Sequence, residues 1–527
     1  MTVPAASGLD RGGDLNLRSP RRALVPRARL LAYGVRVADF VLRNVRIVEL
    51  GGGPGWAGPV DVVVEQGAVQ NIGHGLEKPL GIEEYDGDGR WLIPGLWDHH
   101  VHLAQWTASE QRLDLSGSES PEHVVSRVRD HLVEHPGPLV GRGHRLGTWT
   151  TDPTVAMLDA VAPDVPVVLI AGDGHHAWLN SRALERLGLA LRDGVVLENE
   201  WYEAYTRIEE VLEPDVSPAA YRRTLERAAA LGITGVVDLE KGQTARDWEQ
   251  RDSPIRVRVS TYADGLDAVV ASGLRTGDQL PGSPGLVTMG PLKIISDGSL
   301  NTRTAWCSEK YADGSGVGAP NQSSAELAGL LDHAHRHGLE VATHAIGDQA
   351  LNDALVAYDV TGAAGSIEHV QLVRRDAVST MARLNLRASV QPAHLLDDRD
   401  VTEELWPGRA ERCFALRWML DDGVEVVLGS DAPVSPLDPW LAISAAVHRS
   451  ADARPPWHPE QALTAREALA ASVDGRASVH AGMPADLVLL DADPLVEHED
   501  SAAAGAGLRT MSVALTLVAG ETAYSGL

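Results

Sequence analysis

The sequence predicts an α/β protein: a (β/α)8 barrel of the TIM type, a small β-sandwich domain built from both chain ends, and an insertion after the first barrel strand. Three observations carry this. Eight short, largely apolar runs alternate with amphipathic helical stretches through the middle of the chain, the pattern of parallel βαβ units. Alternating β-branched runs stand at both ends, VLRNVRIVEL and VDVVVEQGAVQNIG before the middle, ADLVLLDADP and SVALTLVAGETAYSG after it. The gap between the first and second runs of the middle is far too long for a simple crossover, so it holds an insertion.

The barrel strands are expected at 91–103, 232–240, 255–263, 290–298, 339–348, 365–372, 386–394 and 424–432. PAAYRRTLERAAALG and ELAGLLDHAHRHG read as helices between them. A doubly wound open sheet is the alternative, but no glycine-rich phosphate loop follows any of these strands. The expected divisions are an Arg- and Gly-rich disordered extension over 1–37, a composite β domain from 38–94 plus 479–527, and a barrel over 95–478 containing the insertion 104–220.

At 527 residues the chain is long enough for one large core and a smaller one. A hydrophobic content of 44% with 23% charged residues is that of a folded globular protein. Its formal net charge of −27 repels phosphate backbones and anionic lipid, so neither nucleic acid nor membrane is an expected partner. Cys307 and Cys413 are the only cysteines, which excludes a disulfide framework and suits a reducing compartment. No apolar run reaches the roughly 18–20 residues that span a bilayer, and the Arg-rich start lacks the apolar core of a signal peptide. A cytoplasmic location is therefore expected. Basic residues are almost all arginine, and the lysines are Lys78, Lys241, Lys293 and Lys310.

His100-Val101-His102 ends the first barrel strand. Strand alternation puts Asp98, His100 and His102 on one face and His99 on the other, so two imidazoles are placed to grip one metal ion. Later strand ends add His344 in VATHAIGD, His369 in SIEHVQL and Asp431 in VLGSDAPV, while Lys293 lies within GPLKIISDG. Each has an ordinary explanation by itself: a hydrogen-bonded histidine, a turn-capping aspartate, a lysine reaching outward. Their joint occurrence at successive strand ends, which converge over one mouth in a barrel, does not. Four histidines and an aspartate suit Zn²⁺ or a similar divalent ion.

PGLWDHHVHL, KIISDGSLNTRTAW, HAIGDQAL, IEHVQL and GSDAPV, in that order, resemble successive motifs of the amidohydrolase superfamily in its YtcJ-like branch, amidohydrolase family 3, which includes N-substituted formamide deformylases. The resemblance runs from about residue 39 to the C-terminus and takes in DGHHAWLNSRAL and SVQPAHL. It implies that His100 and His102 bind the more buried metal, and that His344 and His369 hold a second ion or help hold a single one. It implies that Asp431 is both ligand and proton carrier. Lys293 matches the lysine that CO2 converts to a bridging carbamate in binuclear members, a modification an amine undergoes and a guanidinium does not. Lys241, ending the second strand, is its rival. His99 stands where the family often has a small residue, and is expected to face the helices. His175 and Asp297 are candidates for orienting ligands or substrate.

The resemblance implies hydrolysis of a C–N bond in a small-molecule amide, of the N-substituted formamide or N-acyl amine class, by one or two divalent ions such as Zn²⁺, in a possible homodimer. Three alternatives stand beside it. A deaminase on the same metal site would carry a glutamate just after the fifth-strand histidine, where this chain has Ile346-Gly347-Asp348. A lactonase or cyclic-amide hydrolase uses identical chemistry. A non-catalytic regulatory protein would be expected to have lost ligands, and all six matched positions are intact.

Overall fold

The computed structural model describes residues 39–527 apart from 145, 147–148, 173–175, 214, 244 and 284. The expected N-terminal extension therefore lies outside the described residues. Eight parallel strands form the barrel, β1 (Leu96–Val101), β2 (Ile233–Asp238), β3 (Arg256–Thr261), β4 (Val287–Ile295), β5 (Val341–Ala345), β6 (Gly365–His369), β7 (Arg387–Val390) and β8 (Glu425–Leu428). They pair in sequential order, and seven fall within the segments expected of them, while β4 starts at Val287, ahead of the expected 290–298. The chain just past β8 completes the circle against β1: Asp431 N–H donates to His100 O at 2.7 Å and His102 N–H to Ala432 O at 2.9 Å.

The expected first strand, 91–103, is two strands. Trp91–Pro94 belongs to the β domain and pairs antiparallel with Leu487–Leu490. The break falls at Gly95, where a Cβ would lie 2.1 Å from the Thr234 hydroxyl oxygen, so the chain crosses from one domain to the other only without a side chain. The β domain's sheet doubles over along the strand Phe40–Ile47. Its first part pairs with Val60–Glu65 and its last two residues with Trp91–Pro94. Phe40, Leu42 and Val62 from the N-terminal half meet Leu487, Leu489 and Leu515 from the C-terminal half in one core, so both chain ends build it, as the paired strand patterns predict. Asp486, fully buried, ties this domain to the barrel by accepting from Arg256 of β3 at 2.7 and 2.9 Å.

The barrel's apolar layers follow from its strands being buried on both faces. Val236, Val257, Val341 and Ile367 pack outward against helical residues such as Leu225, Leu331 and Leu351. Both helices read from the sequence form: Pro218–Ala230, capped by Ser217, and Ser324–Arg336, opened by a reciprocal Ser323–Glu326 capping box. Inside the barrel Trp97, Val237, Leu239 and Ala342 form a separate cluster. A Cβ on Gly235 would meet the Trp97 ring at 2.3 Å, so that glycine makes room for the indole.

β1 departs from simple alternation. It pairs Asp98 with Val236 but Val101 with Asp238, so it carries one extra residue between those pairs. Such a bulge resets which face the following side chains occupy. Here it acts on His100, whereas His99 keeps the inward face of Trp97 two residues before it. His99 therefore does not face the helices: its ring lies 6.0 Å from that of Trp97 and its Nε2 3.8 Å from Asp474 Oδ1, within the barrel below the mouth. Burial pushes its imidazole down to about 3, which keeps it neutral. Nor does Asp98 join the two mouth histidines. Its carboxylate accepts from the backbone N–H of His100 and of Ser430 at 3.0 Å, stitching β1 to the chain after β8.

The insertion is a unit with its own five-stranded sheet, Leu113–Asp114, Leu139–His144, Val167–Ala171, His176–Leu179 and Val196–Leu197. Apolar clusters cover it, one containing Trp201 and Ile170, the other Trp178 and Leu169. It reaches the barrel mouth through Arg142, whose guanidinium donates to Pro433 O at 3.4 Å. Among the described residues no helix is long and apolar enough to cross a membrane.

Candidate metal centre

Six side chains named from the sequence reach the C-terminal end of the barrel or the lumen beneath it. His100 and His102 come from the end of β1, Lys293 from β4, His344 from β5, His369 from the last position of β6 and Asp431 from the turn after β8. His100, His369 and Asp431, all buried, each offer one ligand atom, and these atoms lie within 4.8 Å of one another. Asp431 Oδ1 stands 3.4 Å from His100 Nε2 and 3.2 Å from His102 Nε2. The His369 ring centroid is 5.0 Å from that of His100 and 4.5 Å from that of His344. Lys293 is 2% exposed, and its Nζ has no hydrogen-bond partner among the described residues.

The backbone explains how residues of opposite strand parity converge. His369 and Val370 take φ of +72° and +46°, which turns β6 at its end. Glu368 can then face the lumen while His369, its neighbour, still reaches the mouth. Asp431 is also left-handed, at φ +57°, a conformation aspartate tolerates better than most residues.

Glu368 is a further residue of this candidate site, one that strand alternation hides. Fully buried, it accepts from His100 Nδ1 at 2.7 Å, which fixes that nitrogen as the protonated one and leaves Nε2 for the centre. A glutamate inside the apolar strand GSIEH was the available signal, since a buried acid needs a partner. His394, in the turn Pro392–His394 after β7, is a second: its Nε2 lies 3.8 Å from Asp431 Oδ2.

The electrostatics suit a cation. Burial pushes His100 down to about 4. Burial, then the neighbouring His344 and His100, pushes His369 well below the usual imidazole range. Burial alone would raise Asp431, but His100, His102, His369 and His394 outweigh it and hold its carboxyl well below the usual range. Burial lowers the Lys293 amine, against the pull of Glu368 and Asp431. Neutral imidazoles and an ionised carboxylate are the forms in which these groups ligate metal.

Asp297, expected to orient ligands or substrate, is fully buried and stands 3.3 Å from His344 Nε2. Its oxygens also accept from the N–H groups of Ile346 at 3.1 Å and of Gly347 and Trp306 at 2.9 Å, which holds the chain after β5 in place. Lys241 is not brought to the centre, because it sits exposed in the turn that follows β2. His175 lies outside the described residues.

The profile of the amidohydrolase family matches residues 83–524. The chain belongs to the amidohydrolase family. It is 26% identical over 518 residues to the putative amidohydrolase YtcJ of Bacillus subtilis, covering 88% of this chain and 95% of that one. It is 27% identical over 513 residues to an N-substituted formamide deformylase of Arthrobacter pascens, covering 84% and 90%. Among solved structures, an uncharacterised metal-dependent hydrolase of Pyrococcus horikoshii OT3 superposes with a TM-score of 0.69 at 27% identity, over 87% of this chain and 99% of that one. The barrel with its end-built sheet and His/Asp cluster is thus an amidohydrolase scaffold with a candidate metal centre.

Proposed function

We propose that this amidohydrolase is a metal-dependent enzyme that cleaves the C–N bond of a small amide, of the N-substituted formamide or N-acyl amine class. The observation that carries the reading is the buried His100, His369 and Asp431 cluster with the Lys293 amine unpartnered nearby. The identity to a formamide deformylase along most of both chains supports the choice of bond. His100, His102, His344, His369 and Asp431 would hold Zn²⁺ or a similar ion, with Lys293 as a bridging carbamate where two are bound. When bound, such an ion acidifies water and polarises a carbonyl.

The chain's own groups do the rest. Burial favours the uncharged Lys293 amine, whose lone pair bonds to the carbon of CO2 with loss of one proton. Glu368 keeps His100 in one tautomer. Asp431 takes a proton from the attacking water and returns it to the nitrogen as the C–N bond breaks, since an amine leaves poorly until protonated. A deaminase reading is disfavoured by the residue after the fifth-strand motif: Asp348 is engaged by Ser308 and, at 2.7 Å, by Arg412. We place the enzyme in the cytoplasm, acting on a small molecule.

Elemental analysis of wild type beside Lys293→Ala, followed by assays on N-substituted formamides and N-acyl amines, tests the reading. The expected result is two equivalents of metal in the wild type, fewer in the variant, and amide turnover. One equivalent or none, with Asp431→Asn leaving turnover unchanged, would overturn it.

A further inference from the structure

The proposed chemistry draws on β1, β4, β5, β6 and β8, and on nothing from β7. Yet the end of β7 delivers a histidine into the same space. Beyond Val390 the chain makes the single turn Pro392–His394, and the His394 side chain is nine-tenths buried. Its Nε2 has no hydrogen-bond partner among the described residues. That nitrogen faces Asp431 Oδ2 across 3.8 Å, too long for a hydrogen bond. The other carboxylate oxygen, Oδ1, faces His102 and His100 at 3.2 and 3.4 Å. Asp431 is therefore two-sided, with one oxygen toward the ligand pair and the other toward His394.

A buried nitrogen without a partner costs about 1–3 kcal/mol, so its persistence here calls for something that bonds to it. His394 stands beside the metal cluster without belonging to it: its ligand atoms are not among the three that converge, and its ring lies flat beside His369 at a centroid separation of 6.2 Å. An atom placed against Asp431 Oδ2, where the attacking water gives up its proton, would lie within reach of His394 Nε2.

We propose that His394 is a further catalytic residue, a hydrogen-bond donor to the oxygen of the scissile carbonyl. This rests on the amide-hydrolysis reading. As the water oxygen bonds to the carbonyl carbon and its proton passes to Asp431, the C=O π pair moves onto the carbonyl oxygen, where the Nε2–H of His394 receives it. When that pair re-forms C=O, the C–N bond breaks and the nitrogen leaves with the proton from Asp431. His394 keeps its own proton throughout, and so contributes only where charge develops.

The test compares metal-loaded wild type, His394→Ala and His394→Gln by elemental analysis, steady-state kinetics on the formamide panel, and calorimetric titration with inorganic phosphate as a tetrahedral oxyanion. Metal content should be equal in all three. In the alanine variant kcat should fall about 10²–10³-fold with little change in KM, the loss typical of one oxyanion donor, and phosphate should bind at least tenfold more weakly. Glutamine, which retains an N–H donor, should restore part of both. His394→Phe, a ring without a donor, repeats the comparison should the alanine variant unfold. Unchanged kcat and phosphate affinity at full metal content would overturn the proposal, and so would loss of a metal equivalent, which would make His394 a ligand. If the wild type hydrolyses no amide, the reaction class is wrong, and phosphate binding still decides the role of His394.

Discussion

Glu368 and Asp431 show how much depends on single carboxylates in this centre. Glu368 is buried with its charge intact: burial would raise its carboxyl, but the hydrogen bond from His100 outweighs this and holds it at about 2. Replacing it with glutamine removes the negative charge that would strengthen His100 as a metal ligand. Glu368→Gln should weaken metal affinity by about 10–100-fold, the usual effect of removing a ligand's supporting carboxylate, and competition with a chromogenic chelator measures it. Asp431→Asn keeps the shape of the side chain but cannot carry a proton. It should lower kcat by about 10²–10⁴-fold, and single-turnover rates at saturating metal separate that loss from weaker metal binding. At this scale the sequence names the imidazoles and one supporting carboxylate beside them, Asp297 next to His344, but not Glu368. His100 and His369 become legible because histidines recur at several strand ends together, whereas Glu368 looks like a residue on the wrong face until the turn at His369 is known.

Among the elements, β1 and β3 carry the most distinctive constraints. The Trp97 indole lies inside the barrel with the Arg258 guanidinium 4.0 Å from its ring centroid, and Arg258 in turn donates twice to Asp474. Gly235 leaves the space the indole fills. Gly235→Ala should therefore lower stability by about 1–3 kcal/mol, the range for overpacking, visible as a lower urea midpoint. The other constraint is the joint between β3 and the β domain. Asp486 is fully buried, and although burial would raise its carboxyl, Arg256 holds it below the ordinary value. A carboxyl depressed in the fold adds stability above its unfolded titration, near pH 4, and that stability is lost as pH falls through the folded value. Asp486→Asn should cost about 3 kcal/mol at neutral pH, as expected when a buried pair loses one charge, and its unfolding midpoint should depend less on pH below 4 than that of the wild type. Existence and order of these elements are legible in β-branched runs such as EVVL and VATHA. The bulge in β1 is not, because one extra residue leaves no mark on composition yet reverses every face after it.

For the whole molecule, the candidate metal centre lies where the barrel strands end, and the cluster there draws on strands far apart in sequence. An ion bound by several strand ends binds the folded state and not the unfolded chain, so it stabilises the fold by mass action. Removal by a chelator should abolish amide turnover and lower the thermal midpoint, and added zinc should restore both, as scanning calorimetry and activity assays of the same sample would record. The insertion belongs to this scale too. Its sheet has strands as short as two residues, Leu113–Asp114 and Val196–Leu197, too short for any periodicity to register. Its place at the mouth, marked by the Arg142 contact to Pro433, arises only when the barrel closes.

The amino-acid sequence by itself determined the barrel, its end-built β domain, the presence of an insertion and the strand ends that hold the His/Asp cluster. Those features rest on local periodicity and on which residue type sits at which strand end, and both are written in short stretches of chain. Only the tertiary structure decided that His99 and Glu368 face the lumen, that Asp98 bonds backbone, that Lys241 stays outside, and that His394 meets Asp431. Those facts depend on left-handed backbone turns, one inserted residue, and the closing of β8 onto β1, which bring together groups separated by up to several hundred residues.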